Sequence, residues 1–235
     1  MKFAAAFALA AAVTSASSAT FVQFYTVKTQ TATAGVNLDV YTLFARFNGS
    51  TDTIVNAFNF NRVDSNTTNI FYHKDNSDSN GGVLMKEFGT WSPSQTGSAA
   101  ANRPFDSWLT IGGTTAGTNS TNADPSWPAA GGSWARADVP NGANVGWFNS
   151  NPPNLQGRVG AGSGTAANPA DAVRLGQFVI DRDTFGGTWN LKIGYTDGVS
   201  TSVQFAENTF NLGVIPAPGA AALLGLAGLA GRRRR

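Results

Sequence analysis

Apolar positions along this chain recur in short alternating runs, and Gly, Asn, Asp or Pro clusters interrupt them. Nothing between Thr20 and Gly213 sustains the i, i+3, i+4, i+7 spacing of an amphipathic helix, whereas β-branched and aromatic runs bounded by turn formers mark strands. The pattern predicts an all-β domain with strands over 21–29, 36–47, 53–63, 69–73, 83–88, 105–111, 173–181, 188–195 and 199–205. A last run over 209–214 is expected to close a sheet.

The clearest alternation is Trp189, Leu191, Ile193 and Tyr195 against Asn190, Lys192 and Gly194. After Thr196-Asp197-Gly198 come Val199, Thr201, Val203 and Phe205. A two-residue loop at Asp197-Gly198 would oppose Tyr195 with Ser200 and put the two apolar sets on opposite faces. A three-residue loop with Gly198 left-handed instead pairs Tyr195 with Val199, Ile193 with Thr201, Leu191 with Val203 and Trp189 with Phe205. That register is the expectation.

From Thr90 to Asp171 the composition turns to Gly, Pro, Asn, Ser and Ala, with strand character only over 105–111 and 145–148. The segments Asp106 to Gly112, Gly146 to Gly157 and Arg174 to Phe178 together resemble a stretch found in other uncharacterised exported bacterial proteins. The resemblance implies no activity. Four tryptophans here, Trp91, Trp127, Trp134 and Trp147, are expected to pin the loops down.

The two ends carry a different message. Met1-Lys2 and the apolar core 3–13 read as a signal peptide over 1–19, with small residues at Ser17-Ser18-Ala19 placing cleavage after Ala19. At the other end stand Pro216-Ala217-Pro218, a 12-residue apolar run over 220–231 and then Arg232, Arg233, Arg234 and Arg235. The run is shorter than the roughly 20 residues of a membrane-spanning helix, and the arginines after it would stay cytoplasmic, holding the tail across the inner membrane. This layout resembles the PEP-CTERM sorting signal of exported bacterial proteins, with Ala217 where that family has Glu. The resemblance implies export by the Sec machinery, transient insertion of a short C-terminal hydrophobic helix in the inner membrane, and processing by an exosortase-type enzyme. A retained tail anchor or a GPI signal are the other readings of such an end. The organisation expected is therefore signal peptide 1–19, domain 20–213 and sorting segment 214–235.

Setting the ends aside changes the charge. Of 16 basic residues, Lys2 and the four terminal arginines lie outside the domain, leaving 11 against 14 acidic ones, a net of −3. A clustered basic face for nucleic acid is not expected of such a domain. Without cysteine no disulfide contributes, so stability must come from packing, and sixteen Phe and six Trp supply it.

Candidate chemistry is sparse. His73 is the sole histidine, so a thiolate or multi-histidine zinc site has no ligand set, and no Gly-x-Ser-x-Gly elbow accompanies His73 for a hydrolytic triad. Carboxylate pairs for glycoside hydrolysis would be Asp181 with Asp183 or Asp106 with Asp124, and both also read as ordinary strand-end acids. Asn76, Asp78, Asn80 and Glu87 fall at positions 1, 3, 5 and 12 of a calcium loop, with Gly81 at the turn. The same residues form an ordinary polar turn between strands. Asn48, Asn66 and Asn119 sit in Asn-x-Ser/Thr triplets, which a bacterial exporter leaves unread. Exposed aromatic rings stack on sugar faces, so Trp91, Trp127, Trp134 and Trp147 are candidates for carbohydrate binding, although large amphipathic rings also cap the ends of sheets.

The expectation is thus a single β-sandwich, jelly-roll or immunoglobulin-like, with long Gly/Asn/Pro-rich loops. It is expected at the cell surface or outside the cell, with a structural or adhesive role in the extracellular matrix and no enzyme activity. The alternative is a carbohydrate-binding module that takes an extracellular polysaccharide on its loop tryptophans.

Overall fold

The computed structural model describes residues 20–32, 38–64, 71, 107–113, 120–123, 145–161, 168–198 and 202–214. Among them the strands run in chain order as β1 (Phe21–Ala32), β2 (Leu38–Phe47), β3 (Thr53–Arg62), β4 (Trp108–Leu109), β5 (Thr121–Ala123), β6 (Trp147–Asn149), β7 (Ala172–Asp181), β8 (Phe185–Thr196) and β9 (Gln204–Gly213). They form two antiparallel sheets, sheet A in the order β1-β2-β7-β4 and sheet B in the order β5-β6-β3-β8-β9. The class is all-β, as the period-two pattern predicts. Among the described residues no helix is long and apolar enough to cross a membrane.

Several predicted strands shift. The expected break between 199–205 and 209–214 is absent: β9 runs unbroken from Gln204 to Gly213, and residues 199–201 lie outside the described ones. The expected strand over 105–111 contracts to Trp108–Leu109, although the chain stays bonded to β7 through Thr110 N–H to Leu175 O and Gly112 N–H to Arg174 O. Strand β5, three residues long and too short to show a period, had no counterpart in the sequence reading. The predicted strands over 69–73 and 83–88 lie outside the described residues, except for Phe71.

The terminal hairpin adopts a different register from the one expected. Tyr195 opposes Gln204, Ile193 opposes Ala206, Leu191 opposes Asn208 and Trp189 opposes Phe210. Relative to the Tyr195–Val199 pairing this is a slip of five residues, an odd number, so every side chain of β9 changes face. Phe210 and Leu212 now point into the core, while Val203 and Phe205 stand 44% and 59% exposed. The reason lies further down the chain: Phe210 and Leu212 complete an inward set against Trp189 that the shorter register would have turned to solvent. Gly198 does adopt positive φ, 71°, inside a loop longer than three residues.

The core explains why the sheets face each other. Phe60 of β3 stacks on Trp189 of β8 with centroids 4.7 Å apart and planes 13° apart. It also meets Phe178 of β7, in the opposite sheet, at 5.7 Å, and Trp147 of β6 edge-on at 5.7 Å. Phe71 joins Phe178 and Trp189 at 5.2 and 5.3 Å. Each such ring, fully buried, stabilises by roughly 1.5–3 kcal/mol, and the cluster spans both sheets. In β3 the inward residues Ile54, Ala57 and Phe60 recur every third position, because the ladder to β8 breaks register between Ile54 and Asn56 and again between Phe58 and Asn61. Asn59, at φ 57°, absorbs the second break, since a short amide side chain tolerates left-handed backbone.

One lateral opening between the sheets is closed by β1 and β9. Thr26 Oγ1 donates to Asn211 O at 3.1 Å, and Phe24 meets Phe210 at 6.0 Å. At the end of β2 the fully buried Asp39 carboxylate is matched by Lys28 Nζ at 2.7 Å, Arg182 Nε at 3.9 Å and the Asp183 N–H at 3.2 Å. A buried carboxylate without such partners would be strongly destabilising.

Candidate functional site

The segments Asp106 to Gly112, Gly146 to Gly157 and Arg174 to Phe178 come together, in their described residues, in space. Ser107 Oγ accepts the Val179 N–H at 2.9 Å, and β4 pairs Trp108 with Gln177 and Leu109 with Gly176. Trp147, from the second segment, donates its indole N–H to Thr110 O at 2.8 Å. Gln156 donates to Ile111 O at 2.7 Å and to Thr121 Oγ1 at 3.1 Å, and its Oε1 accepts Ser120 N–H at 2.9 Å. Asn168 bridges onward, donating to the carbonyls of Gln156 and Arg158 and accepting the Arg174 N–H. Gln156 is 1% exposed, so these bonds replace water for backbone groups that loops would otherwise bury unpaired. This is a polar hub that fastens loops to both sheets.

The hub changes the place of Trp147. At 1% exposure with its N–H committed, it is no platform for a sugar, contrary to the sequence expectation. The strand character read over 145–148 matches β6 (Trp147–Asn149), which carries Trp147 into the core. Trp91, Trp127 and Trp134 lie outside the described residues. So do His73, the calcium-loop residues Asn76, Asp78, Asn80 and Glu87, the acids Asp106 and Asp124, Asn66 and Asn119, the cleavage site at Ala19, and the tail from Pro216 to Arg235. Asp181 and Asp183 are exposed acids at the β7–β8 turn, with Asp183 at φ 58°. Neither lines a described groove. Asn48 is exposed and accepts the Thr20 N–H at 2.7 Å.

The outer face of sheet B carries the most developed surface. Opposed positions make a row across four strands: Phe148 of β6 faces Asn56 of β3, Asn56 faces Gly194 of β8, and Gly194 faces Phe205 of β9. A groove of about 290 Å³ lies here, walled by Asn56, Phe58, Phe148 and Phe205. Phe58 and Phe205 meet edge to face at 6.1 Å, and Lys192 Nζ lies 5.6 Å from each ring centroid. In the adjoining rows Glu207 Oε1 accepts from Asn59 Nδ2 at 2.6 Å and Asn190 Nδ2 at 2.7 Å, while Oε2 is 3.9 Å from Lys192 Nζ. The face is therefore close to neutral.

Gly194 yields the middle of that row to the Asn56 amide. A Cβ there would fall 2.3 Å from Asn56 Oδ1, so the strand gives up a side chain to seat the amide. Asn56 Oδ1 itself is enclosed and has no hydrogen-bond partner. Two residues along β8, roughly 7 Å, Thr196 projects from the same face opposite Thr53. A second groove of about 290 Å³ opens there, lined by Thr51, Thr53, Leu155, Arg158 and Thr196 among others. The sequence reading missed this face because it turned Phe205 inward. Its signal was the polar half of the β8 alternation, Asn190, Lys192 and Gly194.

Asp52 stands apart, fully buried just before β3, with neither oxygen in hydrogen-bonding geometry. Burial pushes its carboxyl up to about 6, the Asp197 carboxylate adds to the rise, and the Gly49 backbone opposes it.

No protein-family model, curated protein or solved structure matches the chain.

Proposed function

We propose that the protein is an exported surface or extracellular-matrix component with a structural or adhesive role, delivered by its C-terminal sorting segment. The observation that carries this reading is the destination of the aromatic residues. Trp108, Trp147 and Trp189 are all buried, and the hub around Gln156 ties loop to sheet with side-chain bonds rather than presenting them to solvent. A disulfide-free body built in this way suits a load-bearing role outside the cell. The two sheets, with the chain passing from A to B at the β2–β3, β4–β5 and β7–β8 connections, are read as a β-sandwich of jelly-roll or immunoglobulin-like kind. The PEP-CTERM-like order of Pro216-Ala217-Pro218, apolar run and Arg232 to Arg235 supports export and processing.

Intact-mass analysis of the protein recovered from the cells that make it tests the reading. The expected product begins near Thr20 and ends near Pro216 in the extracellular or surface fraction. Recovery with Arg232 to Arg235 attached and the chain in the inner-membrane fraction would replace sorting by a retained anchor.

A further inference from the structure

We infer that the outer face of sheet B is a binding site for an extended, uncharged polysaccharide chain. The inference enlarges the adhesive part of the function proposed above. It concerns residues that the processing of the two ends does not touch, so either can fail without the other.

The first argument is the composition of the row. Phe148 and Phe205 are separated by Asn56 and Gly194, so two rings, three strand spacings or roughly 14 Å apart, flank the Asn56 amide packed over Gly194. Pyranose rings present apolar C–H faces that lie on aromatic rings and hydroxyls around their rims. Amide side chains meet hydroxyls as both donors and acceptors. Asn56, Asn59 and Asn190 supply amides beside Phe58, Phe148 and Phe205.

Charge decides between polymers. Among the described residues the two grooves together offer two separate cations, Lys192, with Glu207 3.9 Å from it, and Arg158 in the wall of the threonine-lined groove. Stacking on rings also serves single-stranded nucleic acid, but that ligand needs a cationic track along its phosphates, which this face lacks. Strongly anionic glycans are disfavoured for the same reason.

Shape sets the length of the ligand. The aromatic groove is at the lower limit of small-ligand clefts, roughly 300–1,000 Å³, and the threonine-lined groove lies further along the same face in the strand direction. Two such grooves in line suit successive units of a chain better than one isolated sugar. Because both are built on strands rather than loops, the rings are held in place before the ligand arrives.

The test uses the protein as recovered from the cells that make it, in native affinity electrophoresis through gels containing hydroxyethylcellulose, laminarin or galactomannan, with alginate as the anionic comparison. Retardation is expected in at least one neutral gel and is expected to persist in high salt. Phe205→Ala and Phe148→Ala should each weaken it at least tenfold, whereas Val27→Ala, an exposed apolar position on β1 of sheet A, should not. Phe205 is 59% exposed, so its variant is expected to keep the wild-type thermal midpoint and near-ultraviolet circular dichroism, which separates lost binding from lost folding. Absence of retardation in every neutral gel overturns the inference, as does retardation by alginate alone that salt abolishes. Retention of wild-type binding by Phe205→Ala overturns it too, and so does a wild-type dimer in sedimentation that Phe205→Ala disperses, since the face would then serve a second copy of the chain.

Discussion

The indole N–H of Trp147 donates to the carbonyl of Thr110 at 2.8 Å, and through this bond a strand of sheet B holds the segment that follows β4 in sheet A. Thr110 is committed on both sides, since its own N–H is bonded to Leu175 O. Trp147→Phe keeps an aromatic ring but leaves a buried carbonyl without a donor, an expected loss of about 1–3 kcal/mol. Trp147→Ala adds a cavity beside Phe60, for a total of about 3–5 kcal/mol. Urea denaturation with unchanged m-values checks both figures; equal stability of wild type and Trp147→Phe would show that the bond contributes nothing.

Gln156 is the more connected member of the hub, and Gly112 is packed against it. Gln156→Leu abandons Ile111 O, Thr121 Oγ1 and the Ser120 N–H together, so its midpoint in urea should fall below that of Trp147→Phe. Gly112→Ala is expected to be worse still. Its Cβ would lie 1.9 Å from Gln156 O on a backbone held at φ 74°, where side chains other than Gly are already strained. The measurement is soluble yield followed by thermal melting, and a wild-type melting temperature for Gly112→Ala would refute this account of the hub.

How far the sequence speaks for the fold depends on the kind of interaction that makes each part. In β8 alternation is complete from Trp189 to Tyr195, and the structure places that set inward. In β3 the inward residues come at every third position, because two register breaks interrupt the ladder, and a period-two reading cannot see them. The β8–β9 register was misread because the nearest apolar set after the turn, Val199 to Phe205, competes with a more distant one ending at Phe210 and Leu212. Only packing against Trp189 and Phe24 chooses between them. The hub was not legible in the sequence as a structure. Its cohesion is side chain to backbone, a relationship with no periodicity, so a tryptophan expected to pin the loops, Trp147, gave no sign of the carbonyl it bonds. The outer face of sheet B was hidden by the same misplaced register that turned Phe205 inward.

That register makes opposite demands on two phenylalanines. With β9 paired as observed, Phe210 is 5% exposed and meets Phe24, whereas Phe205 stands outside the core. Phe210→Ala is expected to destabilise by about 3–5 kcal/mol, and Phe205→Ala to stay within about 0.5 kcal/mol, as for surface substitutions. Denaturant titration of the two variants side by side reads the difference. The reverse order of effects would restore the Tyr195–Val199 pairing.

Asp52 should make the protein less stable as pH rises through the weakly acidic range. Its ordinary value is 3.8, and burial raises it to about 6 in the folded chain, with Asp197 adding to the rise. Between those values the folded chain holds a proton that the unfolded chain has released. Folding is therefore favoured most at the acid end, and that advantage is lost by the time the pH passes the folded value. This is opposite in sign to a carboxylate held by a salt bridge. Asp52→Asn keeps the shape and removes the ionisation, so the variant should gain on wild type as the pH rises from 4 to 7, reaching a constant advantage above that. Thermal melts or urea titrations of both proteins at half-unit pH steps isolate the effect, because contributions of the other carboxylates cancel in the difference. A difference that does not vary with pH would mean that Asp52 is charged and accommodated throughout, and that the gap in hydrogen bonding around its oxygens has another filling.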